Sequence, residues 1–403
     1  MKAIILAAGK GTRLRPITSA VPKPMMPILN KPVMEVLVEL LERHGSRQIV
    51  VNTSYLSAEI ERYFRDGSCF GVQMAYSFEG YAVDGRLVDR PMGSAGALKK
   101  IQERSGFFDQ TFIALCGDAI VDIDLGELVR FHREKAAMAT LALLEIPREQ
   151  VSNYGVAVVN GDGRILEFQE KPSPEEAKST TVSTGVYVFE PEVIERIPSG
   201  AFYDIGKELI PMLIEEGVAL YGANIPFQWL DIGKVSDYYN VVQMALRGEI
   251  RGLSVPGTQV APGIWVGLDA RVDVSRCRIE PPVYIGGGAT LEPGCSIIGP
   301  AVIGQGCVVA SRAHVEKSVL FDYIRVGPWA HVRELIVGNG YCVDSAGTAI
   351  DLAQCDIDWI ICDARNPEAP CWREQLQFEE FLHRNAVAGE TTERWYAKGT
   401  HVA

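Results

Sequence analysis

The segment Ala3–Pro16, AIILAAGKGTRLRP, decides how the chain is read. Its first half is an unbroken apolar run, the kind that forms a strand buried on both faces. Its second half crowds two glycines, Lys10, Arg13 and Arg15 into one turn, and Lys23 follows shortly in Pro22-Lys23-Pro24. On such a turn backbone N–H groups can approach phosphate oxygens closely while Lys and Arg neutralise them. Two familiar phosphate motifs do not fit. A dinucleotide fingerprint needs a third glycine where Leu14 stands, and a P-loop needs a different order around its lysine, since Lys10 is followed by Gly11.

Working outward, apolar strand signals alternate with helical patterns up to about residue 250. Helical spacing covers Met34–Arg43, Ala58–Phe64 and Leu125–Lys135, and strand signals cover Gln48–Val51 and Thr111–Leu115. This predicts an α/β domain: a Rossmann-like mixed, mostly parallel sheet flanked by helices. Ligands in such sheets bind beyond the carboxyl ends of the strands, where the Gly9–Pro16 turn stands.

From about residue 260 the period becomes six: Val260, Val266, Val272, Ile279, Ile285, Leu291, Ile297, Ile303, Val309 and Val315, with one seven-residue step between Val272 and Ile279. The pattern resumes weakly at Val326 and Val332. Hexapeptide repeats of this kind predict a parallel β-helix, one flat side per hexad with the aliphatic residue inward. The expected division is 1–250 for the α/β domain, 251–350 for the β-helix and 351–403 for a tail of no assigned role. Within that tail Trp359–Cys362 reads as a last strand and Glu374–Arg384 as a helix, before a frayed end.

The chain has 403 residues, of which 47% are apolar and 22% charged, the makeup of a soluble globular protein. Its formal net charge of -12 argues against general nucleic-acid or membrane-surface binding, so a polyanionic substrate needs a local basic site. Ala3–Ala8 is too short for a signal or membrane segment, and a cytoplasmic protein is expected. The nine cysteines show no C-x-x-C spacing and read as small buried apolar groups or inert thiols.

The run Leu6–Pro16 followed by Pro22-Lys23-Pro24 closely resembles the signature of the sugar-1-phosphate nucleotidyltransferases, the nucleotide-sugar pyrophosphorylases. The likeness extends over about residues 1–245, and many members of that family carry a C-terminal left-handed β-helix. It implies that an NTP and a sugar 1-phosphate become an NDP-sugar and pyrophosphate. It implies a nucleotide site at Leu6, Ala8, Gly9, Gly11, Thr12 and Arg13, joined by Gly93 and Ser94 of Pro91-Met-Gly-Ser-Ala-Gly96. Arg13 would stabilise the leaving pyrophosphate and Lys23 would bind a reacting phosphate. Asp118, in Leu115-Cys-Gly-Asp118, and Asp231, in Trp229-Leu-Asp-Ile-Gly233, would hold Mg²⁺, with Asp118 also counted as catalytic. Tyr154, Gly155, Glu170, Lys171 and Thr184 would bind the sugar phosphate.

As strand-end or capping residues, Asp122 and Asp124 are expected to cap the helix from Leu125, and Ser94 to be an N-cap. Arg90 stands where a Glu or Gln would be expected to read the base, which leaves the choice of nucleotide open. The look of the motifs is nearest to the UDP-glucose pyrophosphorylases of cyanobacterial type, with UTP and glucose 1-phosphate as substrates. Mannose-1-phosphate guanylyltransferase is the alternative, and a thymidylyl- or adenylyltransferase the next. A catalytically silent regulatory subunit is the alternative of another class; retention of Arg13, Lys23, Asp118 and Asp231 argues against it. His314 and His331, in the repeats, make an acylating role conceivable, but oligomerisation into a homo-oligomer, or regulation, is the favoured role of the β-helix.

Overall fold

The computed structural model describes residues 1–366 apart from 84, 85, 356 and 359. The chain divides into two compact units, Met1–Asp237 with Ile250–Leu253, and Tyr238–Glu249 with the residues from Ser254 onward.

In the first unit the strand Lys2–Leu6 lies between Gln48–Thr53 and Phe112–Cys116 and runs parallel to both. Gln73–Phe78 extends this parallel half. On the far side of Phe112–Cys116 the long strand Thr181–Phe189 runs antiparallel, and Gly155–Val159 and Ile165–Glu170 continue the sheet antiparallel. The sheet is therefore mixed, with its parallel half built around the opening strand.

The apolar run is explained by burial on both faces. Ala3 and Ile5 join Met34, Leu37, Val38 and Leu41 of the helix Val33–Arg43 in one core. Ile4 joins Leu98 and Ile101 of the helix Ser94–Ser105 in the other. Each buried aliphatic side chain of this kind contributes about 1.5–3 kcal/mol. The register aligns Leu6 with Asn52 and with Cys116, so Lys2–Leu6 and Phe112–Cys116 end together and Gln48–Thr53 runs one residue further.

His132 is fully buried on the helix Leu125–Glu134. Its Nδ1 meets Thr140 Oγ1 at 2.8 Å and its Nε2 meets Glu190 Oε1 at 3.0 Å. Burial pushes its pKa below the ordinary 6.5, although Glu190 opposes the shift. The unfolded chain therefore takes up this proton more readily than the folded one. The associated stability is present above pH 6.5 and is lost as pH falls below it. The melting temperature of His132→Gln should consequently decline less steeply between pH 7.5 and 5.5 than that of the parent; parallel curves would assign the acid sensitivity elsewhere.

The second unit carries the hexad coils. Three columns of inward residues stack in parallel register: Val266, Ile285, Ile303, Leu320 and Val337; Val272, Leu291, Val309 and Val326; and Ile279, Ile297, Val315 and Val332. From Ile285 to Val332 these residues are at most 4% exposed. Partners stand 19 residues apart in the first coil (Val266 opposite Ile285), 18 in the next (Ile285 opposite Ile303) and then 17 (Ile303 opposite Leu320). The residue lost at the Lys317–Ser318 corner, where Lys317 has a φ of 45°, is why the period of six weakens after Val315.

Val260 departs from the expected pattern. It is 52% exposed, on the strand Thr258–Ala261, which pairs antiparallel with Ile264–Val266. The far end is also closed by antiparallel strands, Tyr341–Asp344 and Ala349–Asp351 on one side and Ile361–Asp363 against Ile324–Val326 on another. Such strands cover edges that would otherwise recruit other chains. Of the expected last strand, Ile361 and Cys362 are in place and Trp359 lies outside the described residues; the expected helix Glu374–Arg384 lies outside them too. Cys277, Cys295, Cys307 and Cys342 are buried free thiols, whereas Cys362 is joined in a disulfide, contrary to the reading of all the cysteines as thiols.

Candidate active site

The glycine turn leaves the opening strand and folds back through Gly11, whose φ of 61° favours glycine. A Cβ there would stand 3.1 Å from both Lys23 Cβ and Thr18 Cγ2, so the turn and the Lys23 segment are packed without slack. Thr18 Oγ1 donates to Gly11 O at 2.8 Å.

Two carboxylates far apart in sequence meet because the strand Ala119–Val121 pairs antiparallel with Trp229–Asp231, setting Asp231 opposite Ala119. Lys23 Nζ lies 2.5 Å from Asp118 Oδ2, and the lysine side chain is 10% exposed. Burial by itself would lower the Lys23 pKa, but Asp118 and Asp231 raise it above the ordinary lysine value, so the ammonium stays charged. Asp231 is pushed up to about 6, first by burial and then by the charge of Asp118, against the pull of Lys23 and Arg13. Tyr154 donates to Asp231 Oδ2 at 3.4 Å and packs edge-on against Trp229.

These groups border a cavity of about 260 Å³ at the ends of the sheet strands. Leu6, Arg13, Lys23, Ser94, Asp118, Tyr154, Gly155, Glu170, Lys171, Thr184 and Asp231 all line it. Ala8, Gly9, Gly11, Thr12 and Gly93 do not; they build the turns that carry the lining residues. Lys10 is turned toward Asp89, at 3.7 Å. Lys171 pairs with Glu170 at 3.2 Å, and the Thr184 hydroxyl donates to Ala142 O, which makes its hydrogen bond structural.

Two capping expectations change. Gly93, not Ser94, is the N-cap of its helix, and the Ser94 hydroxyl instead reaches Asp204 and Ile205 N. Asp124 does cap, accepting from Glu127 N, but Asp122 accepts from Gln228 N and faces Arg251. Sequence reasoning missed Asp204 and Gly206, which also line the cavity. Asp204 before Ile205-Gly-Lys-Glu-Leu209 carries only the signal of an ordinary helix cap, which Asp204 also is.

A pair of carboxylates close enough to raise each other's charge cost, opposed by an ammonium and a guanidinium, can take a divalent cation and phosphate oxygens. No group of three or more His, Cys, Asp or Glu side chains among the described residues is arranged to hold an ion, so a cation at the two aspartates would draw its other oxygens from phosphate and water. Residues 2–248 match the family described as Nucleotidyl transferase.

The chain belongs to the nucleotidyl transferase family. A UTP–glucose-1-phosphate uridylyltransferase of Synechocystis is 54% identical to the transferase over 366 residues, 91% of this chain and 94% of the relative. A mannose-1-phosphate guanylyltransferase of Mycobacterium tuberculosis is 30% identical over 80% of each chain. A solved structure described as a glucose-1-phosphate thymidylyltransferase from Bacillus anthracis superposes with a TM-score of 0.53 and 25% identity, covering 64% of the transferase and 98% of that chain. No helix among the described residues of the transferase is long and apolar enough to cross a membrane.

Proposed function

We propose that this transferase makes UDP-glucose and pyrophosphate from UTP and glucose 1-phosphate. The observation that carries the reading is the meeting of Lys23, Asp118 and Asp231 beside Arg13, in a chain 54% identical over 91% of its length to a relative named for that reaction.

A phosphate oxygen of the sugar attacks the α-phosphorus of UTP in line. The new P–O bond forms as the bond to the α–β bridging oxygen breaks, and pyrophosphate leaves with that electron pair. Catalysis of such a displacement is positioning and charge stabilisation rather than covalent chemistry. Lys23, held charged by two carboxylates, neutralises a reacting phosphate, and Arg13 neutralises the pyrophosphate. Asp118 and Asp231 would hold a divalent cation, Mg²⁺ in our reading, which supplies charge neutralisation at the phosphates. Gly11 and the turn around it bring backbone N–H groups to the nucleotide. Glu170 and Gly155 accept and approach the sugar, and Lys171 exchanges Glu170 for the sugar's phosphate. The β-helix serves assembly into a homo-oligomer, and the enzyme works in the cytoplasm.

The test is pyrophosphate release with Mg²⁺ across UTP, GTP, dTTP and ATP, each with glucose 1-phosphate and mannose 1-phosphate. UTP with glucose 1-phosphate should have the highest kcat/KM. GTP with mannose 1-phosphate as the best pair would replace this substrate choice, and silence with every pair would favour a regulatory subunit.

A further inference from the structure

One short segment, Tyr203–Gly206, touches both ends of the cavity. Tyr203 O accepts from Ala95 N and Gly96 N, each at 2.9 Å, and Tyr203 N donates to Met92 O at 2.9 Å. Gly93 lies so near that a Cβ would stand 2.5 Å from Tyr203 O. The segment is thereby clamped to the Met92–Gly96 turn, on the nucleotide side.

Asp204 continues the connection with both of its oxygens. Oδ2 accepts from Ser94 Oγ at 2.9 Å, and Ser94 Oγ in turn accepts from Ile205 N at 2.8 Å. Oδ1 accepts from Gly206 N at 2.9 Å and Lys207 N at 3.1 Å. Gly206 lies against the sugar side, where a Cβ would come 2.5 Å from Glu170 Oε2. The turn Ile205–Leu209 is a π-helical one, a wide form that tends to occur at functional sites.

We propose that Asp204 is a positioning residue that ties the nucleotide-side turn to the wall of the sugar pocket, keeping the two substrates in the register that in-line attack requires. The proposal rests on the UDP-glucose reading above. Its physical basis is twofold. Hydrogen bonds to a carboxylate are about twice as strong as neutral ones. Displacement chemistry also loses rate steeply when reactants shift by about 1 Å. The backbone clamp at Tyr203 places the segment, and Asp204 sets the orientation of Gly206 relative to Ser94.

Three variants test this, with steady-state KM and kcat measured for UTP and for glucose 1-phosphate. Asp204→Ala removes both carboxylate links, leaving only Ile205 N on Ser94 Oγ, and should lower kcat by about tenfold or more while raising both KM values. Asp204→Asn keeps an acceptor toward Gly206 and Lys207 and a polar group toward Ser94, and should stay within about threefold of the parent. Ser94→Ala cuts only the nucleotide-side link, because Asp204 still accepts from Gly206 N. It should raise the KM for UTP while that for glucose 1-phosphate holds. General loosening of the fold would not split the two constants in this way. Unchanged kcat and KM values in Asp204→Ala, or equal shifts of both KM values in Ser94→Ala, overturn the proposal. Should Asp204→Ala fail to fold, the Ser94→Ala split decides.

Calorimetric titration of the same proteins with UTP and with glucose 1-phosphate in MgCl₂ separates the proposal from the reading beneath it. A parent that binds both ligands without releasing pyrophosphate sinks the reading and leaves the same comparison to be made on binding constants. A parent that binds neither sinks both.

Discussion

Asp118→Asn should fold like the parent and lose turnover by about 10³-fold, the scale set by removing one preorganised charge from a site where phosphate charge develops. The side chains are the same size, and the amide oxygen can still accept from Lys23, whose Nζ lies 2.5 Å away. What disappears is one of two charges that would hold the cation. Asp231 reports the change: the charge of Asp118 helps raise its pKa to about 6, so the substitution should bring it down toward the ordinary carboxylate range. Asp231 alone then binds a cation, weakly, and higher Mg²⁺ should recover only part of the rate. Initial rates over a Mg²⁺ series, with melting curves as the folding control, make the measurement. Activity within tenfold of the parent at saturating Mg²⁺ would remove Asp118 from the metal site.

Lys23→Met carries the second large effect, and its sign divides between binding and chemistry. The ammonium neutralises Asp118 and Asp231 in the absence of substrate. Without it, the two carboxylates face each other with the charge of Arg13 in opposition, and a divalent cation should bind the empty protein more tightly than it binds the parent. Turnover should nonetheless fall by about 10²–10³-fold, because the charge that would meet the reacting phosphate is gone. Lys23→Arg should rescue poorly, since a planar fork cannot occupy the space of a point charge that is 10% exposed. Mn²⁺ binding measured by electron paramagnetic resonance, beside pyrophosphate release, reads both halves. Weaker cation binding together with slower turnover would mean that Lys23 only holds the fold.

Local patterns were legible because they repeat or follow one another in order. Ala3–Leu6 reads as a strand buried on both faces, Gly9–Arg13 as a tight glycine turn, and the inward column from Ile285 to Val315 as a β-helix, since each depends on spacing along the chain. Val260 was misread because a correctly spaced aliphatic residue carries no mark of whether its strand joins the parallel coils or doubles back antiparallel along the first of them. Leu320 went unread because one residue is missing at a corner, which shifts the count without disturbing the stacking. Asp122 and Ser94 looked like caps because their types suit caps; their actual partners, Gln228 N and Asp204, lie more than a hundred residues away.

The order of residues by itself determined the class of fold, the cationic turn and the family, all of which follow from short-range periodicity and contiguous motif. Only the tertiary structure decided that Asp118 and Asp231 share one charge environment, that Thr184 spends its hydroxyl on Ala142, and that Asp204 bonds both Ser94 and Gly206 in the wall of one cavity. The reason is physical. A carboxylate's proton affinity and its partners depend on burial and on distances of a few ångströms, and these are set by strand pairing across the fold rather than by position along the chain.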